Sequence, residues 1–287
     1  MKSLKKVYIE ISNICNLQCS FCPEVERDNK VMSYELFEKT LEEVVPITSE
    51  VALHLMGEPL NHPQILGLLA LCEQKNIPVN LTTNGTLINK FSHDDLLMPI
   101  IRQINFSLHS FRSNFPSGDM GKYLNPIFNF VDRALEKRPE LYINYRLWNM
   151  EHAGVNENDE ILNAVDQHYK CQINRNVDVG FRKGKRITER LSLHFDSRFE
   201  WPSLQSPFLS KQGRCHALSS HIGILADGMV VPCCLDKEAL IPLGNLQEKP
   251  IKEILQTPRA TAMLKGFQNG QRVEDLCQRC SFVERFK

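Results

Sequence analysis

Three cysteines near the start of the chain constrain its chemistry more than any other feature. Cys15, Cys19 and Cys22 stand in CxxxCxxC spacing. The alternating apolar run Val7–Ile11 precedes them and predicts a strand, so the thiols belong to the loop that follows it. Three thiols this close together can converge on one metal site. A four-iron cluster takes four ligands, so one iron of such a cluster would be open to a ligand that the protein does not supply.

Composition narrows the class of protein. The 287 residues are 42% hydrophobic and carry a formal net charge of zero, so a sizeable core is expected and no global field attracts nucleic acid, although an RNA substrate is not excluded. We find no signal peptide and no apolar run near the roughly 20 residues of a membrane span. A cytoplasmic location without membrane contact is therefore expected. In that compartment ten cysteines indicate metal ligands rather than disulfides.

Strand-like and helix-like segments alternate along the first part of the chain, which predicts βαβ units and a parallel sheet. Two predicted helices begin after an N-cap at Ser33 and at Pro63 in the N1 position. Two more are marked by Ile127, Phe128, Val131 and Leu135, and by the segment near Asp159–Tyr169. The predicted strands are Val7–Ser12, Val51–Met56, Val79–Thr83, a segment around Ile104–Leu108, Leu141–Trp148 and a segment around Val177–Phe181. About six units favour an α/β fold, a partial (β/α)6 TIM-type barrel, whose chemistry gathers at the carboxyl ends of the strands.

A change of composition marks the end of this region. The basic run Arg182–Arg186 is expected to be a solvated loop, with phosphate or acidic-peptide binding as the alternative. We predict a core at 1–182, a linker at 183–212 and a small cysteine-rich domain at 213–287, which holds five of the ten cysteines.

The CxxxCxxC motif resembles that of the radical S-adenosylmethionine (radical SAM) superfamily. Asn16 fits the same pattern, and Phe21 occupies the aromatic position that lies beside the SAM adenine in that family. The resemblance implies a [4Fe–4S] cluster on the three cysteines, SAM on the open iron, and an external one-electron donor such as flavodoxin or ferredoxin. It also implies reductive cleavage of SAM to a 5′-deoxyadenosyl radical that takes a hydrogen atom from a substrate. The alternatives are a three-ligand zinc site or chance spacing.

Further matches lie at the ends of predicted strands. Met56-Gly57-Glu58-Pro59 resembles the family's GGEP motif, with Met in place of the first Gly; Glu58 would accept a hydrogen bond from the methionine amino group of SAM, and Gly57 would allow close backbone approach. Without that context, Gly-Glu-Pro is an ordinary turn. Asn84 resembles a residue that lines the cofactor site, with a simple Asn-Gly turn as the alternative.

The fourth and fifth predicted strands carry three more candidates. Ser107 matches a family position that contacts the SAM ribose, or else it bonds to backbone. Arg146 would pair with the SAM carboxylate, or else form an ordinary salt bridge. His109 begins a predicted long loop and is a candidate proton donor or acceptor, although a lone histidine is more often structural.

The C-terminal region predicts a second, closed metal site. Asp227-Gly228 flanked by apolar residues indicates a hairpin that brings Cys215 and Cys233 together. The pair Cys277 and Cys280 then supplies two more thiols, while Cys234 stands beside Cys233 and could substitute for it. Four cysteines ending in CxxC are also typical of a structural zinc site.

The spacing of Cys215, Gly228 and Cys233 resembles the SPASM/twitch extension of radical SAM enzymes. Few residues follow Cys280, so the match is to the twitch form, with one auxiliary [4Fe–4S] cluster held by Cys215, Cys233, Cys277 and Cys280. The resemblance implies that this cluster accepts or relays an electron. The remaining cysteines, Cys72 and Cys171, are expected to be apolar residues in helices.

The sequence does not fix the substrate. No peptide-recognition region is expected before the barrel, which favours dehydrogenation or a related radical modification of a small molecule. A peptide maturase and an RNA- or nucleobase-modifying enzyme are alternatives. A zinc-dependent binding module is the alternative from another class, disfavoured by the neutral charge and the absence of mixed basic and aromatic stripes.

Overall fold

The computed structural model describes residues 4–150, 158–177, 183–198 and 200–286. Its strands are β1 Lys6–Ile9, β2 Val51–Ala52, β3 Val79–Thr83, β4 Ile101–Ser107, β5 Tyr142–Met150, β6 Gly184–Arg186, β7 Leu191–Ser197, β8 His221–Ile224, β9 Met229–Val231 and β10 Gly244–Asn245. Its α-helices are α1 Tyr34–Val44, α2 Ile65–Gln74, α3 Ser110–Asn114, α4 Met120–Lys137, α5 Asp159–Tyr169, α6 Ile251–Ile254, α7 Pro258–Gln268 and α8 Asp275–Gln278.

The described residues form two compact units. The first contains residues 4–15, 23–79 and 200–286, and the second contains 16–22, 80–150, 158–177 and 183–198. Strands pair in both directions in the first unit and mainly in parallel in the second, and both units also contain helices, which is the mixed α/β class predicted from the sequence.

In the first unit the strand order is β10-β9-β8-β1-β2. β1 pairs in parallel with both β2 and β8, and its central Val7 and Ile9 are fully buried. β8 and β9 form the predicted antiparallel hairpin, whose turn residue Gly228 has a φ of 87° that favours glycine. The predicted helix after Ser33 is α1, because the Ser33 side chain accepts the Leu36 amide and so caps its first turn.

In the second unit the strand order is β3-β4-β5-β7-β6. β4, β5 and β7 are parallel neighbours, and β6 pairs antiparallel with β7 at the edge. Tyr145 on β5, Phe106 on β4 and Phe195 on β7 are fully buried, so these three strands form the centre of the unit. The carboxyl end of β4 lies beside the middle of β5, with Ser107 opposite Arg146.

The structure differs from the sequence patterns in three local features: a missed strand, β7, and two helix starts. The predicted linker 183–212 contains β6 and β7; β7 alternates Leu191, Leu193 and Phe195 into the core, but its strand pattern follows a charged segment that obscured it. The sixth strand predicted around Val177–Phe181 falls mostly on 178–181, which lie outside the described residues, and Val177 is not in a strand. The predicted division into 1–182, 183–212 and 213–287 stays a prediction.

The other two differences concern helix starts. The predicted long loop at His109 is the short helix α3, which Ser110 stabilises by donating its hydroxyl to the Ser107 carbonyl at 2.7 Å. The helix predicted to begin at Pro63 begins at Ile65, because the His62 ring accepts the Gln64 amide and shapes a turn before it. In the ranges that the structure describes, no helix is both long and apolar enough to span a bilayer.

Candidate functional site

The loop that carries Cys19 and Cys22 is fixed by polar contacts within the second unit. Asn114 accepts the Gln18 amide at 2.7 Å and donates its own amide to the Cys19 sulfur at 3.1 Å. Ser113 accepts the Ser20 amide at 2.9 Å. The side chains of Asn114 and Ser113 both belong to α3, a helix that was not predicted from the sequence. The side chains remain accessible, since Cys22 is exposed and Cys19 is half-buried; Cys15, in the first unit, is also exposed.

Asn84 is tied to the same loop. Its side-chain amide donates to Asn16 at 2.9 Å, and its carbonyl oxygen accepts the Thr86 amide at 2.9 Å. Asn16 in turn donates to the Thr86 hydroxyl at 2.8 Å. The predicted Asn-Gly turn is present, with a φ of 79° at Gly85. These contacts make Asn84 a positioning residue for the loop, and direct contact with a cofactor stays a prediction.

His109 is buried, and its ring packs at a tilt against the loop's aromatic residue. Its ring centroid lies 4.8 Å from that of Phe21, and its side chain is only 9% exposed. Its Nδ1 lies 3.0 Å from the Arg146 carbonyl oxygen. Burial lowers the pKa of His109 from 6.5 to about 4, so the ring is neutral near pH 7. A neutral imidazole that donates from Nδ1 keeps a lone pair on Nε2.

A polar edge follows at the ends of β5 and β7. The Arg146 guanidinium lies over the Trp148 ring, 4.5 Å from its centroid, and Nη1 donates to the Thr82 hydroxyl at 3.4 Å. Trp148 Nε1 donates to His194 Nδ1 at 2.9 Å. Trp148 and His194 were not predicted as site residues. The β5–β7 register would have indicated them, but β7 itself was missed.

In the first unit, Gly57 and Glu58 are held against the backbone that leads to Cys15. Gly57 has a φ of 76°, and a Cβ there would stand 2.2 Å from the Ser12 carbonyl oxygen. The Glu58 amide donates to the Ile14 carbonyl at 3.1 Å. The Glu58 carboxylate is 2% exposed and accepts the Leu60 amide at 3.0 Å. Only glycine fits at 57, which agrees with the close approach expected from the motif.

Five cysteines line one cavity of the first unit. The cavity has a volume of about 260 Å³, and its thiols are those of Cys215, Cys233, Cys234, Cys277 and Cys280. The four predicted ligands of the second cluster are therefore brought together. Burial raises the pKa of every one of these thiols. Without a metal the thiols stay protonated, and a metal group that enters must displace the protons.

The donor set fits a thiolate-bound cluster better than a single ion. The cavity is several times the roughly 30 Å³ share of one water molecule in the liquid. Within the described ranges, no three His, Cys, Asp or Glu side chains converge closely enough to hold one metal ion. A tetrahedral zinc site requires such convergence. A cluster of several iron and sulfur atoms can instead be reached by thiols set around a wider space.

Cys233 and Cys234 have different surroundings. Both line the cavity, but Cys234 also packs against the buried apolar cluster that includes Leu55 and Val231. Tyr8 forms a side-chain hydrogen bond to Cys234, and burial raises the pKa of that thiol to about 11. Cys234 therefore already has packing and a hydrogen-bond partner on the Tyr8 side of the cavity.

Comparisons with known proteins agree with these two groups of cysteines. A sequence model described as the radical SAM superfamily matches residues 9–166, and one described as the SPASM iron–sulfur cluster-binding domain matches residues 215–281. GTP 3′,8-cyclase of Alkaliphilus metalliredigens (strain QYMF) is 32% identical over 144 residues, which are 47% of this chain and 44% of that protein. The chain spans less than half the length of the curated relatives it matches.

Solved structures share the fold. BtrN in complex with AdoMet and 2-DOIA superposes with a TM-score of 0.57 at 16% identity, covering 98% of this chain and 94% of BtrN. SuiB of Streptococcus suis bound to S-adenosylmethionine gives a TM-score of 0.66 at 18% identity, covering 99% of this chain and 72% of SuiB. The likeness confirms the predicted α/β fold, a partial TIM-type barrel with a cysteine-rich C-terminal extension.

Proposed function

The chain belongs to the radical SAM superfamily, and we propose that it oxidises a small organic substrate by two electrons after abstracting a hydrogen atom. The observation that carries this proposal is the thiol-lined cavity in the region that matches the iron–sulfur SPASM domain. Four thiolates leave no iron of such a cluster open to substrate, so electron transfer is the role that suits it.

Two sets of cysteines would hold the family's clusters. Cys15, Cys19 and Cys22 would bind the SAM cluster; the auxiliary cluster would be bound by Cys215, Cys233, Cys277 and Cys280. When bound, these cofactors supply reductive cleavage of SAM to a 5′-deoxyadenosyl radical, which takes the hydrogen atom, and an acceptor for one electron. Enzymes of this superfamily need an external electron donor, for which we propose a flavodoxin or ferredoxin.

The residues around the loop would bind and orient SAM. Phe21 offers an aromatic face for the adenine, and Ser107, at the end of β4, a hydroxyl for the ribose. Arg146, paired with Ser107 across the two strands, would face the SAM carboxylate. Glu58 is a buried carboxylate that already accepts one backbone amide and would accept the SAM amino group. Gly57 would let the backbone at Ser12 approach the Glu58 segment closely.

His109 would accept the proton that the substrate loses. The substrate gives up one hydrogen atom, then one electron and one proton, so a base is needed once per turnover. Because its pKa is about 4, His109 is neutral at physiological pH. Nδ1 lies 3.0 Å from the Arg146 carbonyl oxygen and 3.4 Å from the Trp148 amide nitrogen; the tautomer that donates to the closer carbonyl would leave Nε2 as the basic atom.

The substrate class rests on the relatives of similar length. BtrN, solved with AdoMet and the small molecule 2-DOIA, matches nearly the whole of both chains. SuiB, which has been solved bound to the precursor peptide SuiA, is matched over about three-quarters of its length. A small molecule is therefore our proposal, and a peptide is the second candidate. The match to GTP 3′,8-cyclase keeps a nucleotide among the small molecules to test.

Metal analysis and SAM turnover test the proposal together. Anaerobically reconstituted protein should contain about eight iron and eight sulfide per chain, and it should form 5′-deoxyadenosine from SAM with dithionite. Zinc in place of iron would contradict the proposal and support the binding module. Candidate small molecules and peptides then decide the substrate. A deuterated substrate should transfer deuterium to 5′-deoxyadenosine, and the unlabelled substrate should give a product two mass units lighter than itself.

A further inference from the structure

A buried ion pair stands at the end of β1 in the first unit. The Glu10 carboxylate is fully buried, and Arg27 Nη2 lies 3.0 Å from both of its oxygens. The same two oxygens accept backbone amides from Met56 and Ala226, each at 3.3 Å. One carboxylate thus fixes the backbone of two segments that are distant in sequence.

A second carboxylate extends this network. Glu238 accepts the amide of Glu26 at 3.1 Å and that of Arg27 at 3.2 Å, one on each oxygen. Arg27 Nε donates to the Lys237 carbonyl at 2.5 Å, and Lys237 Nζ donates to the Glu24 carbonyl at 2.7 Å. Backbone and side chain of residues 24–27 are therefore bound to residues 237–238 at four points.

The segments joined in this way adjoin the proposed cofactor ligands. Met56 directly precedes Gly57-Glu58, residues 24–27 follow Cys22 within a few positions, and residues 237–238 follow Cys233 and Cys234 as closely. A buried charge tolerates little movement of its partners, since an unpaired charge is strongly unfavourable. The network therefore restricts the mutual placement of all three segments.

We propose that Glu10, Arg27 and Glu238 are positioning residues that form a clamp. The clamp holds the segments next to Cys22 and Glu58 in a fixed position relative to the segment after Cys233 and Cys234. The clamp rests on the proposed function, since it acts on the residues proposed to bind the clusters and SAM. Its members bind backbone rather than cofactor. Loosening the clamp should therefore raise the KM for SAM while both clusters remain bound. Disorder in the segment after Cys233 and Cys234 should also make residues 24–27 and 56 less ordered, because the same contacts join them.

The decisive variant is Glu238→Gln, which keeps the size of the side chain and removes its charge. The amide exchange of Glu26 and Arg27 should become faster, because one oxygen and the ionic acceptor are lost. The KM for SAM in 5′-deoxyadenosine formation should rise about ten- to hundredfold, as for other residues that orient ligands indirectly. Iron per chain should be unchanged. The matched control, Arg133→Met, breaks an exposed bidentate pair with Asp94 in the second unit and should change none of these values.

A double substitution that removes both charges of the buried pair serves as the control for misfolding. Arg27→Met alone leaves Glu10 buried without its cation, so it is compared with the double variant Glu10→Gln/Arg27→Met, which buries no unpaired charge. The double variant should fold and bind full iron, show faster exchange at Met56 and Ala226, and have a raised KM for SAM. Full iron with an unchanged KM would overturn the proposal, and so would loss of iron from Glu238→Gln.

Hydrogen exchange separates this proposal from the proposed function. If the unsubstituted chain binds iron but does not cleave SAM, the proposed function fails. In that case two measurements still test the clamp. The first is SAM binding, measured by the change it causes in the electron paramagnetic resonance spectrum of the reduced protein. The second is hydrogen exchange at the amides of Glu26, Arg27, Met56 and Ala226. Unchanged exchange at Glu26 and Arg27 in Glu238→Gln would overturn the clamp even in an active enzyme.

Discussion

The two groups of cysteines use the same ligand in opposite surroundings. Cys15 and Cys22 are exposed, and side-chain hydrogen bonds from α3 hold the loop of Cys19 and Cys22 in place. The five thiols of the C-terminal cavity are half-buried, and desolvation raises their pKa values. An accessible site with too few thiols suits a cluster that must admit a cofactor. A half-buried site with a surplus of thiols suits one that only exchanges electrons.

Removing one ligand from each group should give the largest contrast. Cys22→Ala should abolish 5′-deoxyadenosine formation, because the SAM cluster would keep only two protein ligands. Cys277→Ala should retain SAM cleavage but lose substrate turnover and about four iron per chain. Iron content, 5′-deoxyadenosine and product are measured on the same samples. Full product turnover by Cys277→Ala would show that the cavity has no part in the reaction.

The neighbouring pair in the cavity sharpens the comparison, since one of its five thiols is not needed as a ligand. Cys233→Ala should lose the auxiliary cluster, seen as roughly half the iron. Cys234→Ala should keep the iron and reduce stability by about 1 kcal/mol, because it loses packing against Leu55 and Val231 and the bond to Tyr8. The reverse pattern of iron loss would make Cys234 the ligand.

The backbone that leads to Cys15 packs against Gly57, a position that only glycine fits. Gly57→Ala should destabilise the fold by roughly 3 kcal/mol or more, because its Cβ would stand 2.2 Å from the Ser12 carbonyl oxygen at a φ of 76°. Gly270→Ala is the control: its φ is 72° but nothing lies within 4 Å, so only about 1 kcal/mol of backbone strain is expected. Denaturant unfolding measures both. Equal losses would mean that the contact with Ser12 can relax.

The last prediction concerns the pH dependence of stability that His109, beside the loop, should cause. The pKa of His109 is about 4 in the folded chain and 6.5 when solvated, so the unfolded chain takes up the proton first as pH falls. His109 therefore lowers the free energy of unfolding by about 3 kcal/mol between pH 6.5 and 4, and by nothing further below that range.

His109→Gln removes this titration and should flatten the dependence, relative to wild type, in denaturant titrations across the same pH range. Wild-type turnover should show no acid limb at pH 6.5, because the base stays neutral there. An unchanged pH slope in His109→Gln would assign the titration to another group.

Local sequence patterns accounted for much of the fold. Asp159–Tyr169 is a helix with the predicted bounds, and the Asp227-Gly228 hairpin is present, because both depend on neighbouring residues alone. β7 was missed since its pattern is short and follows charged residues, and its partner β5 lies far away in sequence. The same reason hid His194, which meets Trp148 only through that pairing.

The candidate site divides in the same way. The cysteine motifs could be predicted because the ligand spacing is written in the sequence, and Gly57 because a close approach demands glycine. The ion pair of Glu10 and Arg27 and the contact of Arg27 with Glu238 could not, since 17 and 211 residues separate the partners. No local pattern marks such a pair: each charged residue, read alone, is typical of a solvent-exposed surface.

The positions of the cavity's cysteines along the chain bear on biosynthesis. Cys22 completes the exposed group early in the chain, whereas Cys277 and Cys280, on and just after α8, follow it by about 255 residues and so are synthesised much later. Domains generally fold in order of synthesis. The cavity's cysteines therefore cannot assemble until α8 has been synthesised. Iron delivery to them follows delivery to the exposed group, and chains truncated before Cys277 should emerge with one centre loaded and the other absent.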